Sequence, residues 1–324
     1  MPSGDLDNSA FQDDDLAREW FEARLWPNGA VCPHCGVTGE GAVTRMYGTG
    51  GAKGTKHRPG CFQCNACRSQ FTVTVGTVME RSKIGLHIWL KAMYLLSASK
   101  KGVSTHQLHR MLGISLKSAW FLTQRIREAM REPKFASVLG GRGRPVQADE
   151  TFIGRRTTRA GEVRKRGYAA KEPVLSLVDD KRVRSFHVKE VNSATLKPIL
   201  RQQIDKGARV FTDEATYYAG LKTDFPAGHF TVQHSIGEYV RGGATVNRCE
   251  NYFSILKRGI NGVYQHVSPQ HLKRYVGEFD FRYNYRVGLG FSDMQRTEFV
   301  ARGAAGKRLT YQRTRQQPET EASA

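Results

Sequence analysis

Three acidic residues, Asp149, Asp213 and Glu250, could together do metal-dependent chemistry. Asp149 lies inside VQADETFI (residues 146–153), an alternating segment that reads as a strand. A carboxylate in a strand bound for burial is costly unless it is paired or holds a cation. Asp213 ends a second short strand, RVFTD, 64 residues on, and Glu250 opens a segment of helical spacing 37 residues after that. Lys257 follows Glu250 by seven residues and shares its helix face. Glu150 is assigned by strand alternation to the face opposite Asp149, and Glu214 also leaves its strand end in another direction. Asp149, Asp213 and Glu250 offer only oxygen, the donor set of Mg²⁺ or Mn²⁺. Two such ions suit an in-line displacement at a phosphodiester, one activating the attacking oxygen and one stabilising the leaving oxygen. Taken singly, Asp213 also reads as a cap, and Glu250 with Lys257 as a surface pair.

Cysteine spacing points to a second metal. Cys32 and Cys35 form one CxxC (CPHC), and Cys64 and Cys67 another (CNAC). Two such turns facing each other give a tetrahedral site for one structural Zn²⁺. Cys61 leaves the choice open, because Cys61 and Cys64 are also spaced as a CxxC. Cys64 and Cys67 are favoured because the residues after them alternate like the outgoing strand of a ribbon. His34 and His57 read as bystanders, Cys249 as a buried thiol. Lys53, Lys56, His57, Arg58 and Arg68 offer the ribbon a basic surface.

The charge balance names the partner class. Fifty Lys and Arg against 30 Asp and Glu give a net charge of +20, which draws a chain toward polyanions, DNA before others. Residues 104–122, STHQLHRMLGISLKSAWFL, have the outline of a helix-turn-helix. Ser104 and Ser115 serve as caps, and Gly113 supplies the left-handed residue of the turn. Lys117, Ser118 and Arg125 on the second helix are expected to face DNA. So are Arg155 and Arg156 in the basic loop GRRTTRAGEVRKRG, and Lys257 and Arg258 beside the acidic site. An ordinary helical hairpin is the bland alternative.

The elements that must position these residues fall into five segments. Residues 1–25 read as an acidic helix or tail, 26–78 as a zinc ribbon and 79–139 as the helical DNA-binding module. After the breaker GGRGRP, residues 140–290 run three strands, helix, strand, helix, strand, helix. Residues 291–324 read as a polar tail. The predicted fold class is multidomain α+β, with an RNase H-like catalytic domain built on a mixed sheet. The most apolar stretch, residues 88–98, is too short to span a bilayer and contains Lys91. No secretory signal is visible, so a cytoplasmic, nucleoid-associated protein without a membrane partner is expected.

As an ordered set, CPHC, CNACRSQFTVTVGTVM, STHQLHRMLGISLKSAWFL, QADETFIG, FTDEATYY, NRCENYFSILKRGINGVYQHVSP and FDFRYN resemble the bacterial insertion-sequence transposases that join a zinc ribbon to an RNase H-like Asp-Asp-Glu domain. The resemblance spans roughly residues 20–286. It implies that Asp149 and Asp213 take the two aspartate positions, Glu250 the third acidic position and Lys257 the following lysine. Some relatives carry Asn at the third position, and Asn247, one turn earlier, is a candidate assistant. The long Gly-rich ribbon loop and Cys61 depart from the family pattern. The implied activity is binding of terminal inverted repeats, strand cleavage and strand transfer into target DNA, carried out by a homo-oligomer. The competing reading is a DNA-binding regulator whose third domain is inert. A nuclease without strand transfer shares the site but needs no second DNA-binding module.

Overall fold

An acidic cap starts the first helix: the Asp13 carboxylate accepts hydrogen bonds from the amides of Asp15 and Leu16, and α1 (Asp14–Leu25) follows. The computed structural model describes residues 5–39, 41–46, 59–132, 137–154, 171–232 and 247–310. Beyond α1 lies a three-stranded antiparallel ribbon, β1 (Val43–Arg45), β2 (Phe62–Cys64) and β3 (Gln70–Phe71). Its apolar core is small: Phe62 stacks on Phe71, Trp26 meets both edge-on, and Cys32 and Cys64 complete it. A core of that size needs a further staple, which the four thiols described below can supply.

The helical module is α2 (Leu86–Ala98), α3 (Thr105–Leu112) and α4 (Leu116–Met130). Its turn follows the expected chemistry. Ser104 accepts from the Gln107 amide, Gly113 takes the left-handed conformation (φ 64°, ψ 24°), and Ser115 accepts from the Ser118 amide. Past its first two turns α4 is enclosed, and every residue of 122–127 is buried.

The central sheet is built from β4 (Pro145–Ile153), β5 (Glu172–Val178), β6 (Val183–His187), β7 (Arg209–Asp213) and β8 (His229–Val232) in the order β6-β5-β4-β7-β8. The β4–β5–β6 meander is antiparallel, with Asp149 opposite Ser176, and β7 and β8 join parallel to β4. Helices α5 (Ser193–Gln203) and α6 (Leu221–Asp224) follow β6 and β7. Helices α7 (Asn247–Gly259) and α8 (Pro269–Asn284) come after β8, joined by a π-helical turn at Ile260–Tyr264. One face of the sheet buries Val146, Ala148, Leu175 and Leu177 with Leu196 and Leu200 of α5. The other buries Ile153, Val174 and Val178 with Tyr252, Leu256, Val276 and Phe279 of α7 and α8. This is the RNase H-like mixed sheet flanked by helices that the strand and helix order predicts.

The C-terminal end of the chain corrects the expected segmentation. Residues 291–324 are not simply a polar tail: Ser292 and Gln295 form a capping box that starts α9 (Asp293–Arg302). Val300, Ala301 and Ala304 are buried with Trp20 and Phe21 of α1 and Leu90 and Met93 of α2. Lys307 then donates to the carbonyls of Glu128, Ala129 and Arg131, closing the C-terminus of α4. The apolar residues of α9 are few, but they fall on one face, and small Ala side chains allow close approach. Among the described residues no helix is long and apolar enough to cross a membrane.

Candidate metal and DNA sites

The thiol pairs converge. Cys32 and Cys35 lie on the turn before β1, Cys64 ends β2, and Cys67 sits in the turn into β3. Cys32 Sγ lies 3.6 Å from Cys67 Sγ, and Cys35 Sγ lies 3.6 Å from Cys64 Sγ. All four sulfurs are within 4.8 Å of one another. A tetrahedral Zn²⁺ with bonds of about 2.3 Å has sulfur–sulfur edges of roughly 3.8 Å, so the donor set and its spacing fit that ion. Cys61 is outside this group; its Sγ is buried against the carbonyl of Phe62. Of the proposed basic surface, Arg68 is exposed, and Lys53, Lys56, His57 and Arg58 lie outside the described residues.

A second cluster forms at the C-terminal end of β7. Pairing between β4 and β7 covers only residues 145–147 of β4, so Asp149 and the residues after it run on beside the end of β7, where Asp213 sits. Asp149 Oδ1 accepts from the Glu150 amide at 2.7 Å, and Asp213 Oδ1 accepts from the Ala215 amide at 3.2 Å. Carboxylate oxygens of Asp149, Glu150 and Asp213 lie within 4.8 Å of one another. The inclusion of Glu150 corrects the expectation from strand alternation. Its backbone belongs to the opposite face, but its carboxylate joins the cluster and accepts from the hydroxyls of Tyr217 (3.0 Å) and Tyr218. Burial pushes Glu150 up to about 7; the Tyr218 and Tyr217 hydrogen bonds oppose that shift, and the charges of Asp149 and Asp213 add to it. FTDEATYY holds both tyrosines, but nothing in the spacing says that they reach back to β4.

Glu250 stands on the exposed first turn of α7 and is not one of the three clustered carboxylates. Its neighbour Cys249 is buried, and its thiol is raised by that burial and then by the negative charges of Asp149, Glu150 and Glu250. Lys257 and Arg258 are exposed two turns further along α7, and Glu214 is exposed as well.

The helix-turn-helix residues divide. Lys117 is exposed and Ser118 half-buried at the start of α4, and both line a groove whose other wall is Val263, Tyr264, Gln265 and His266 at the end of the π-helical turn. Arg125 does not face DNA. It is 7% exposed, its guanidinium donates to the carbonyls of Val78 (2.9 Å) and Glu80 (3.0 Å), and it stacks on Phe121. A backbone-bonded, enclosed guanidinium holds the ribbon's exit segment against α4. Arg155 and Arg156 lie outside the described residues.

Residues 12–70 match the transposase zinc-ribbon domain, and residues 138–284 match the ISXO2-like transposase domain. A protein in transposable element ISH50 of Halobacterium salinarum is 28% identical over 271 residues, which is 79% of this chain and 86% of that protein. A transposase-like protein of Haemophilus influenzae is 28% identical over 97 residues, 30% of this chain and 76% of its own length. Among solved structures, the pre-cleavage Mos1 transpososome aligns with a TM-score of 0.28 at 12% identity, covering 66% of this chain and 78% of that one. The Mos1 strand transfer complex aligns at 0.22 and 13% identity, covering 63% and 78%.

Proposed function

The chain belongs to the DNA transposases that join a zinc ribbon to an ISXO2-like transposase domain, and from that premise we propose that it cleaves and transfers DNA strands by Asp-Asp-Glu chemistry at Asp149, Asp213 and Glu250. The observation that carries this reading is the convergence of Asp149 and Asp213 at the end of β7, with Glu250 on the helix packed beside β4. The half-buried, all-oxygen group of Asp149, Glu150 and Asp213 fits Mg²⁺ or Mn²⁺. When bound there, two such ions would polarise the scissile phosphate and activate the attacking water or 3′-hydroxyl. The protein's own share is positioning. Asp149 is held by its strand and Asp213 by the turn that follows β7, and Lys257, exposed on α7, would contact the DNA near the scissile phosphate. No covalent step falls to a side chain, so losing one carboxylate loosens a ligand rather than a single hydrogen bond.

Residues 26–78, 79–139 and 140–290 are the natural division into ribbon, DNA-reading module and catalytic domain, with the flanking helices α1 and α9 packed on the second. Lys117, Ser118, Arg155, Arg156, Lys257 and Arg258 would contact the terminal inverted repeats and the target. Both ends of an element must be cut and joined, so at least two copies of the chain would act together on cytoplasmic, nucleoid DNA. The test is cleavage of a labelled duplex taken from the DNA flanking the gene. Asp149→Ala, Asp213→Ala and Glu250→Ala are each expected to lose cleavage in Mg²⁺ or Mn²⁺ by about a thousandfold or more while still binding the duplex. Lys257→Ala is expected to fall between these and the native rate. Full activity in the Asp213 or Glu250 variant would remove the three-carboxylate site.

A further inference from the structure

Helix α7 begins at Asn247, and the residue before it in the sequence, Val246, has no side-chain oxygen with which to cap it. The cap comes from the sheet instead. The Gln147 side-chain oxygen accepts hydrogen bonds from the amides of Arg248 (3.0 Å) and Cys249 (3.3 Å). These are the second and third residues of the helix, whose amides have no partner within it. Gln147 is 3% exposed. It lies on β4 two residues before Asp149, so both side chains leave the same face of the strand, about 7 Å apart along it. One buried side chain thus joins the strand that carries Asp149 to the first turn of the helix that carries Glu250.

The rest of α7 is tied to the sheet elsewhere. Cys249 Sγ rests on the carbonyl of Ser176, the residue opposite Asp149. Tyr252 donates to Asp280, which also accepts from the amide and hydroxyl of Ser185 on β6. These contacts set how closely the helix lies on the sheet. In the turn that holds Glu250, Arg248 also pairs through its side chain with Asp180, but the hydrogen bonds of Gln147 are the ones made to the helix-end amides themselves. Glu250 is also the proposed ligand that stands outside the group of clustered carboxylates, so its approach depends on where that turn is held.

We propose that Gln147 is a positioning residue for metal-dependent cleavage: by capping α7 from β4 it sets the Glu250 carboxylate against Asp149 and Asp213. The proposal rests on the three-carboxylate reading above. A purely local cap would stabilise α7 equally well from residue 246, and that difference makes the role testable. Gln147→Met keeps the length and volume of the side chain and removes the acceptor. Adding Val246→Ser to it supplies a cap that is not attached to β4. Three readouts are taken on the full chain: thermal stability, Mn²⁺ binding followed by electron paramagnetic resonance without DNA, and cleavage of the flanking-DNA duplex as a function of Mg²⁺.

Gln147→Met is expected to bind Mn²⁺ about 10-fold to 100-fold more weakly, the usual effect of losing a group that orients a metal ligand. The Mg²⁺ concentration for half-maximal cleavage should rise by a similar factor, with duplex affinity unchanged. Val246→Ser should then restore the melting temperature and leave the metal affinity low. Should Gln147→Met alone fail to fold, the double variant carries the measurement, because its helix is capped. Native Mn²⁺ affinity and cleavage in Gln147→Met, or their recovery in the double variant, would overturn the proposal. Asp149→Ala and Glu250→Ala are measured alongside. If those two cleave normally, the three-carboxylate reading has failed, whatever Gln147 does.

Discussion

Glu150 keeps its proton up to about pH 7 in the folded chain, through burial first and then the facing charges of Asp149 and Asp213. In the unfolded chain it ionises near its ordinary value of 4.5. Between those values the folded protein holds a proton that the unfolded chain has lost, so stability falls as pH rises from 4.5 to 7, and the penalty is complete above that. It is on the order of 3 kcal/mol before relaxation of the site is allowed for. Glu150→Gln is therefore expected to melt higher than the native protein at pH 8 without added Mg²⁺ or Mn²⁺, and to lose this slope. Thermal unfolding from pH 4.5 to 8 measures it, and identical slopes in the two proteins would exclude Glu150 as the source. The thiol pairs and the two aspartates were legible in the sequence because spacing and burial cost constrain them directly. The reach of Glu150 was not. Alternation dictates where Cβ points, and a long side chain beyond the last residue paired to β7 can turn around the strand.

Helix α4 carries the exposed residues proposed to meet DNA and its core-facing residues in one continuous run, and the two are separable by experiment. Lys117 is exposed at its start, whereas Arg125 is bonded to the backbone of residues 78 and 80. Lys117→Ala is expected to weaken duplex binding, to reduce its dependence on salt by about one counterion, and to leave the unfolding midpoint unchanged. Arg125→Ala should do the reverse, lowering stability by about 1–3 kcal/mol through the two carbonyls left unpaired. Binding isotherms at several salt concentrations and urea unfolding of both variants decide the assignment; a loss of affinity without loss of stability in the Arg125 variant would return that residue to the DNA surface. The caps and Gly113 made the helix-turn-helix outline readable, because each acts within four residues. The burial of Arg125 and Arg127 was not readable, because it depends on the ribbon exit and on α8, which are distant in sequence. Arg127 is fully enclosed and pairs with Glu278 of α8 at 2.7 Å, an arrangement that composition would place on a surface.

At the scale of the molecule, α8 is the member shared by the helical module and the central sheet. Its Glu278 and Arg282 face Arg127 and the carbonyl of Leu96, while its Asp280 and Asn284 bond to the backbone of Ser185 and Val183 in β6. The net charge of +20 suits DNA, and under the proposed function this shared helix would tie a duplex held at α4 to the carboxylates on β4, β7 and α7. The same logic gives the C-terminal segment a structural role. Helix α9 buries Val300 and Ala301 on α1 and α2, and Lys307 closes the end of α4. A chain ending at Gly290 would expose the facing apolar surface and leave those carbonyls open. The lost burial amounts to several kcal/mol, or a fall in melting temperature of roughly 10 °C. Because α8 packs on both modules, the loss should appear in α4 and in the sheet together, as one cooperative transition moved to lower temperature. Calorimetry of the truncated and full chains reads both quantities. An unchanged melting temperature would show that α9 rests on the helical core without supporting it, and two separated transitions would show that α8 does not couple the modules.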